Sequence, residues 1–542
     1  MNLIRSYNLF ARSFAALTVL SIMMTAANAQ ITVTNQQYLF TPQQPINLTL
    51  HIEHALTQEA DVPLHGNLAA YGMTDGHMLS RTLHLVPGQP TTCELQWPVQ
   101  ALGLYTLSLH LGDSPSLLAE KRLNLGVLPQ AMPCSSNPAS AFGAVAHLNR
   151  MNQEQLRTTV QHMARIGIRW AREGFIWSDI QPTTDNMKWD RYDRLMDICE
   201  QYGISVLPVM AYGTKWAAQR PPKDIDSPDQ RSEALPRLDA WQHFIHATVD
   251  RYKNRIHHWE IWNEPNSTTF LKIEDRTQQA KAYASLLATA YEVIKQTDPQ
   301  ANVISGGFTP KHWIPKTPYL HEAVFMKAIY EQLPRPFDIL GYHPYTAPHT
   351  DTSNQLTVNK YFKLASFCWD VCIQQENKLP ETWMTEMGTP TMPFMTEDRA
   401  AQYMVVLYVA AMADQRVSKN FWYDFQNDGQ DTANKEHNFG LLRFDGSPKP
   451  GYFAYLNLTT QLEGAVFVGS EIKPDWTMHQ FSKNGKQIKV LWTNQDEHVL
   501  ITLPTSPSPY TVLNVLGQKM PLQSTEGKLN LTVSQSPIFV IQ

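Results

Sequence analysis

Two glutamates stand where a pair of carboxyl groups could act on one bond. Segment 257–266 reads His-His-Trp-Glu-Ile-Trp-Asn-Glu-Pro-Asn, and segment 381–388 reads Glu-Thr-Trp-Met-Thr-Glu-Met-Gly. Both begin as aromatic-rich alternating stretches, the pattern of a strand. Pro265 ends the first and Gly388 the second, so Glu264 and Glu386 fall at strand ends. Two facing carboxyls of unequal protonation are what glycoside hydrolysis needs. One protonates the leaving oxygen and the other attacks the anomeric carbon. Glu260, four residues before Glu264 on the same strand, reads as a supporting carboxylate.

Other chemistries lack their residues. His51-Ile52-Glu53-His54 does not have the spacing of a zincin helix, and neither a Gly-x-Ser-x-Gly elbow nor a P-loop occurs. The sequence has five cysteines and no Cys-x-x-Cys pair. A Cys93–Cys134 bridge is open on this reading, whereas Cys368 and Cys372 fall four apart on a helical pattern, a poor disulfide geometry. No metal and no cofactor are expected.

The elements that must position the two glutamates follow from periodicity. Between residues 133 and 460, apolar strands alternate with amphipathic helical patterns. Eight strand candidates are 141–147, 168–173, 204–211, 257–263, 302–308, 337–343, 381–388 and 418–425. Helical spacing groups Leu156, Val160, Met163 and Ile166, then Trp241, Phe244, Thr248, Val249 and Tyr252, and then Tyr283, Leu286, Leu287, Ala290, Val293 and Ile294. Eight βα units predict an α/β fold, a (β/α)8 TIM barrel whose site lies at the C-terminal ends of its strands. A doubly wound open sheet is the rival, but it should bring a Gly-rich phosphate turn that this sequence lacks. Residues 30–132 and 461–542 show short alternating runs between turn residues, so the barrel is expected between an N-terminal and a C-terminal β-sandwich.

Several segments together resemble the clan A retaining glycoside hydrolases. Trp262-Asn263-Glu264-Pro265 and Trp383-Met384-Thr385-Glu386-Met387-Gly388 are similar to that group's strand-four and strand-seven ends. Ile168-Arg169-Trp170-Ala171-Arg172 with Trp177-Ser178-Asp179-Ile180-Gln181-Pro182 resembles its strand-two region. Residues 338–345 (DILGYHPY) resemble strand six, and Phe421-Trp422-Tyr423 resembles strand eight. The nearest pattern is family 39, with family 5 a close rival. The resemblance implies Glu264 as acid/base, Glu386 as nucleophile and Asn263 as partner of the sugar 2-hydroxyl. It implies Arg172 holding the nucleophile ionised, His343 or Tyr345 hydrogen-bonding near it, and Trp422 as floor of the −1 sugar. Trp177, Tyr212, Trp216 and Trp383, with Trp422, lie near strand ends and are candidate platforms for the flat C–H faces of sugars. The long polar stretch 213–236 after strand three is a candidate wall of the cleft.

Composition agrees with an exported enzyme. Lys and Arg number 44 against 49 Asp and Glu, a net charge of −5, which argues against nucleic-acid binding through a general positive field. Residues 14–24 (FAALTVLSIMM) follow Arg5 and Arg12 and precede Ala27-Asn28-Ala29, the form of a signal peptide cleaved after Ala29. The expectation is a secreted or periplasmic retaining β-glycosidase acting on a β-linked oligo- or polysaccharide. Its partner would be that carbohydrate, with no nucleic acid and no stable membrane insertion. A non-hydrolysing carbohydrate-binding protein and a transglycosylase are the alternatives.

Overall fold

The structure is a computed structural model that describes residues 29–35, 37–114, 116–219, 234–310, 322–345, 353–504, 509–525 and 528–542. The expected signal segment, up to residue 28, lies outside them, as do residues 220–233 of the stretch after strand three.

Eight parallel strands close on themselves. They are β1 (Phe142–Val145), β2 (Trp170–Ile176), β3 (Ser205–Ala211), β4 (His258–Asn263), β5 (Asn302–Gly307), β6 (Ile339–Tyr342), β7 (Glu381–Met387) and β8 (Val417–Trp422). Strand β1 pairs with both β2 and β8, which excludes the open doubly wound sheet. A helix follows each strand: α1 (Gln153–Arg165), α2 (Asp190–Gln201), α3 (Leu238–Tyr252), α4 (Arg276–Thr297), α5 (Glu322–Tyr330), α6 (Asn354–Glu376), α7 (Glu397–Asp414) and α8 (Pro450–Leu462). The helical residues grouped by spacing in α1, α3 and α4 are all buried. Local chemistry sets where helices begin. The Asn152 side chain accepts from the backbone N–H of Glu154 and Gln155, and Gln155 accepts from that of Asn152, a reciprocal cap at the start of α1.

The barrel interior is filled from below. Trp170, Leu207, Ile304, Ile339, Trp383 and Phe421 form one buried cluster from six strands. Because strand side chains alternate, the residues two positions on from this floor point into the next layer up. Arg172 of β2 and Thr385 of β7 occupy that layer, so the polar site rests on an apolar plug.

Sheets flank the barrel on both sides in sequence. The N-terminal pair has three strands (Gln30–Val33, Ile46–Glu53, Thr91–Trp97) facing five (Leu39–Phe40, Ala60–Ala70, Gly76–Leu85, Gly103–Leu111, Ala119–Val127) around buried Leu48, Leu50, Trp97 and Leu107. It docks through Asn124 Nδ2, which donates to the Pro448 carbonyl at 3.1 Å, and Arg165, which donates to the Phe40 carbonyl at 2.6 Å. The C-terminal pair has a five-stranded and a three-stranded sheet. Val490 and Trp492 belong to the barrel's hydrophobic core, while Leu491 between them belongs to the core between the two sheets. That alternation makes residues 490–492 of the strand Lys486–Thr493 apolar on both faces.

All five cysteines are free. The bridge left open between Cys93 and Cys134 is not formed. Cys93 is buried inside the N-terminal sandwich, and Cys134 lies on the barrel, its thiol directed at the Tyr202 carbonyl.

Candidate active site

Strict alternation would not deliver Glu386 and Asn263 to the barrel mouth. Glu386 is three residues beyond the floor residue Trp383, an odd step that should point it outward. The pairing of β7 with β8 is irregular between Met384 and Met387, and this local slip re-aims Glu386. On β4, Glu260 faces inward, and Asn263 again lies an odd step on. Trp262 has φ 73° and Glu264 has φ 41°, left-handed values costly for residues with a Cβ. They turn the strand end so that Asn263 and Glu264 both enter the mouth. Trp262 itself turns away, its indole N–H donating to the Phe270 carbonyl at 2.9 Å.

Arg172 ties this layer together. Its guanidinium donates to Glu260 Oε2 at 2.6 Å and Oε1 at 3.1 Å, to Asn263 Oδ1 at 2.8 Å and to Glu386 Oε1 at 2.6 Å. Arg172 is 4% exposed and Glu260 is fully buried, so water contributes nothing to neutralising either. The Tyr345 hydroxyl donates to the other Glu386 oxygen at 2.9 Å. His343 Nδ1 lies 2.9 Å from Glu264 Oε1 and 3.5 Å from Glu386 Oε2, and its Nε2 lies 3.1 Å from the Thr385 hydroxyl. One carboxyl oxygen of Glu264 and one of Glu386 lie within 4.8 Å of each other.

The two carboxyls differ in what holds their charge. Burial and the neighbouring Glu386 charge push the Glu264 carboxyl well above the usual range, against a weaker pull from Arg172. Burial also raises Glu386, but Arg172 and the Tyr345 hydroxyl oppose it directly. The proton therefore rests on Glu264 and the charge on Glu386. Burial, with the Arg172 charge, drives His343 well below the ordinary histidine value, so the ring is neutral.

Residues 134–350 match the family model of glycosyl hydrolase family 10. The barrel is similar to those of clan A glycoside hydrolases. Solved structures agree in fold. A family 39 glycoside hydrolase from the gut symbiont Bacteroides cellulosilyticus superposes with TM-score 0.70 at 22% identity, over 94% of this chain and 100% of that one. A family 39 enzyme from Xanthomonas axonopodis pv. citri gives 0.53 at 15% identity, over 76% and 95%. A glucosidase from Croceicoccus marinus gives 0.51 at 11% identity, over 76% and 97%. No curated protein matches the sequence. Together the family match and the fold make the protein a glycosidase.

The glycosidase cleft has a volume of about 750 Å³ and is lined by Arg172, Asn263, Glu264, Tyr345 and Glu386 among others. The cleft brings these five residues together, with His343 behind them. Four expected aromatic platforms are not in it. Trp177 is fully buried, stacked on Phe244 of α3 at 4.8 Å, and its indole donates to Gln181. Trp216 packs edge-on against Trp177 and donates to the Gln181 carbonyl. Trp422 lies between β8 and the helical shell, beside Ala401 and Met404 of α7. Phe421 is in the floor, so parity turns Trp422 outward and brings Tyr423 into the cleft instead. Trp383 is part of the barrel floor. Of the expected aromatics, Tyr212 does line the cleft, stacked on Phe270 at 6.1 Å.

Sequence reasoning missed Thr385, Tyr423, Phe270 and Phe439. For Thr385 and Tyr423 the signal was present, because both lie two residues beyond floor residues. At the rim, His147, Asp424 and Asp428 offer atoms within 4.8 Å of one another. Arg150 lies 3.5 Å from Asp428, and burial raises Asp424 well above the usual carboxyl range. A neutral Asp424 and an Arg-balanced Asp428 suit hydroxyl groups better than a metal cation.

Proposed function

We propose that the protein is a retaining β-glycoside hydrolase acting on a β-linked oligo- or polysaccharide, with Glu386 as nucleophile and Glu264 as acid/base. The observation that carries this reading is the close, unequal pair: two largely buried carboxyls with oxygens within 4.8 Å, one held by Arg172 and Tyr345, the other facing His343. Retaining pairs stand ~5–5.5 Å apart, and inverting pairs need ~6.5–9.5 Å for an intervening water. In the first step a Glu386 oxygen bonds to the anomeric carbon as the bond to the leaving oxygen breaks, and Glu264 gives that oxygen its proton. In the second, water bonds to the anomeric carbon, gives its proton to Glu264, and the ester to Glu386 breaks. Esterification removes the Glu386 charge that helps raise Glu264, so Glu264 becomes acidic enough to act as a base. Asn263, fixed by Arg172, supports contact with the sugar hydroxyl next to the reacting carbon.

Proton NMR of the first-formed sugar tests the mechanism. The expected product has the β configuration of the substrate before mutarotation, and an initial α anomer would overturn the assignment. Turnover of an aryl β-glycoside separates hydrolysis from mere carbohydrate binding, and product chain lengths separate hydrolysis from transglycosylation. Among the described residues no helix is long and apolar enough to cross a membrane. The apolar segment before Ala29 supports export with cleavage there, which sequencing the mature N-terminus tests.

A further inference from the structure

We propose that Thr385 is a positioning residue that holds His343 as its Nε2–H tautomer and so aims a bare Nδ1 lone pair at Glu264. The inference rests on the acid/base role given to Glu264 above, and it adds a device that sets when that group holds its proton.

The argument is one of counting hydrogens. The Thr385 hydroxyl lies 3.0 Å from Glu260 Oε1 and 3.1 Å from His343 Nε2, and it has a single hydrogen. Glu260 has none to give. Its carboxylate already accepts from Arg172 Nε and Nη2 and from the Gly307 N–H at 3.1 Å. The hydroxyl hydrogen therefore goes to Glu260, and the hydroxyl oxygen accepts from His343 Nε2, which must carry a hydrogen. His343 is fully buried. The charged or titratable groups that face it are Glu264 from the end of β4, Glu260 through Thr385, Glu386 from β7, Arg172 from β2 and Tyr345 beyond β6. Burial, with the nearby Arg172 cation, keeps the ring neutral, so Nδ1 has only a lone pair.

That lone pair sits 2.9 Å from Glu264 Oε1. An ionised Glu264 would set two acceptors against each other, whereas a protonated one donates a hydrogen bond. Glu386 is the weaker partner, because its nearer oxygen lies 3.5 Å from Nδ1 against 2.9 Å for Glu264. His343 thus favours the protonated acid at rest. Once Glu264 has given its proton to the leaving group, the same lone pair opposes its charge and strengthens it as a base toward water. The ring keeps its own hydrogen throughout. Gly307 makes the arrangement possible: a Cβ there would lie 1.9 Å from His343 Nε2.

The test uses the full chain with isotope-labelled histidine and nitrogen NMR, with His343→Gln identifying the signal. The expected spectrum shows a neutral His343 with hydrogen on Nε2. Thr385→Val removes the hydroxyl at nearly constant shape and frees the ring to carry its hydrogen on Nδ1. Nδ1–H would donate to an ionised Glu264 and lower its pKa. The basic limb of kcat/KM, set by loss of the acid's proton, then moves to lower pH by about one unit, a tenfold change in proton affinity. Thr385→Ser restores the hydroxyl and is expected to restore both tautomer and limb. A wild-type ring with hydrogen on Nδ1 overturns the proposal, as does a folded Thr385→Val enzyme with an unmoved basic limb. Should Thr385→Val not fold, the wild-type spectrum and Thr385→Ser still decide. The tautomer readout needs no turnover, so failure of the glycosidase mechanism and failure of this inference are separate results.

Discussion

Arg172→Met takes the cation out of the site and leaves most of the apolar stem in place. Three acceptor residues lose their donor at once: Glu386, Glu260 and Asn263. Glu386 is the most informative. Two unit charges ~4 Å apart attract by about 4 kcal/mol at an effective dielectric near 20. One pKa unit is about 1.4 kcal/mol, so the ceiling on the rise in the Glu386 pKa is about three units. Tyr345 still donates to Glu386, and the expected rise is therefore smaller, about one to two units. The nucleophile must be ionised, so the acid limb of kcat/KM moves to higher pH by that amount. Glu264 also loses some opposing pull, but Arg172 bonds Glu386 directly and Glu264 not at all, so the acid limb moves further than the basic limb and the pH window narrows. Removing one partner of a buried ion pair also costs about 3–5 kcal/mol of stability. The assay is kcat/KM against pH with an aryl β-glycoside, alongside urea unfolding and near-UV circular dichroism. A folded Arg172→Met enzyme whose acid limb overlies that of the wild type would refute the claim that Arg172 holds the nucleophile ionised.

Glu386→Ala is expected to fold normally, since Glu386 sits at the mouth above the apolar floor. Its turnover should fall by several orders of magnitude, with partial recovery in azide through direct attack on the anomeric carbon, and near-normal activity in the purified variant would remove Glu386 from its role. Gly307→Ala drives a methyl group into His343 Nε2. Activity should fall at least ~10-fold, with a stability loss of about 1–3 kcal/mol from overpacking, and unchanged kinetics would show that the ring has room to move. Trp177→Ala should cost about 3–5 kcal/mol of stability, because the ring is fully buried against Phe244; a large rise in KM at unchanged stability would instead make it a sugar platform.

The barrel was legible because its strands obey parity. A run such as Ile168–Glu173 or His257–Asn263 must alternate to serve a packed interior on one side and helices on the other, and no long-range information is needed to see it. The helices were legible for the same reason at their own period. The sandwiches were marked by short alternating runs between turn residues. The paired glutamates were legible for a different reason: Pro265 and Gly388 mark where each strand stops, and the residues before a stop sit at the mouth whichever way they point. Direction was the hidden part. From Trp383 and Glu260, parity sends Glu386 and Asn263 outward. Only a register slip between β7 and β8, and left-handed backbone at Trp262 and Glu264, bring them in.

The aromatic platforms failed in the opposite sense. Trp422 was placed in the cleft by resemblance to strand-eight ends, although Phe421 in the floor makes Tyr423 the inward residue. Here no irregularity intervenes to break parity. Trp177 and Trp216 lie past strand ends, where orientation depends on partners distant in sequence: Phe244 on α3 stacks on Trp177, and Gln181 binds both indoles. The backbone departs from regular geometry just where the reacting carboxyls lie, and keeps to it where the side chains serve packing. A strained strand end holds only if its neighbours fix it. Arg172 supplies that fixing by bonding Glu260, Asn263 and Glu386 together. The cation that holds the nucleophile ionised is thus also the clamp that keeps two irregular strand ends in register, which is why its removal should disturb pH dependence and stability together.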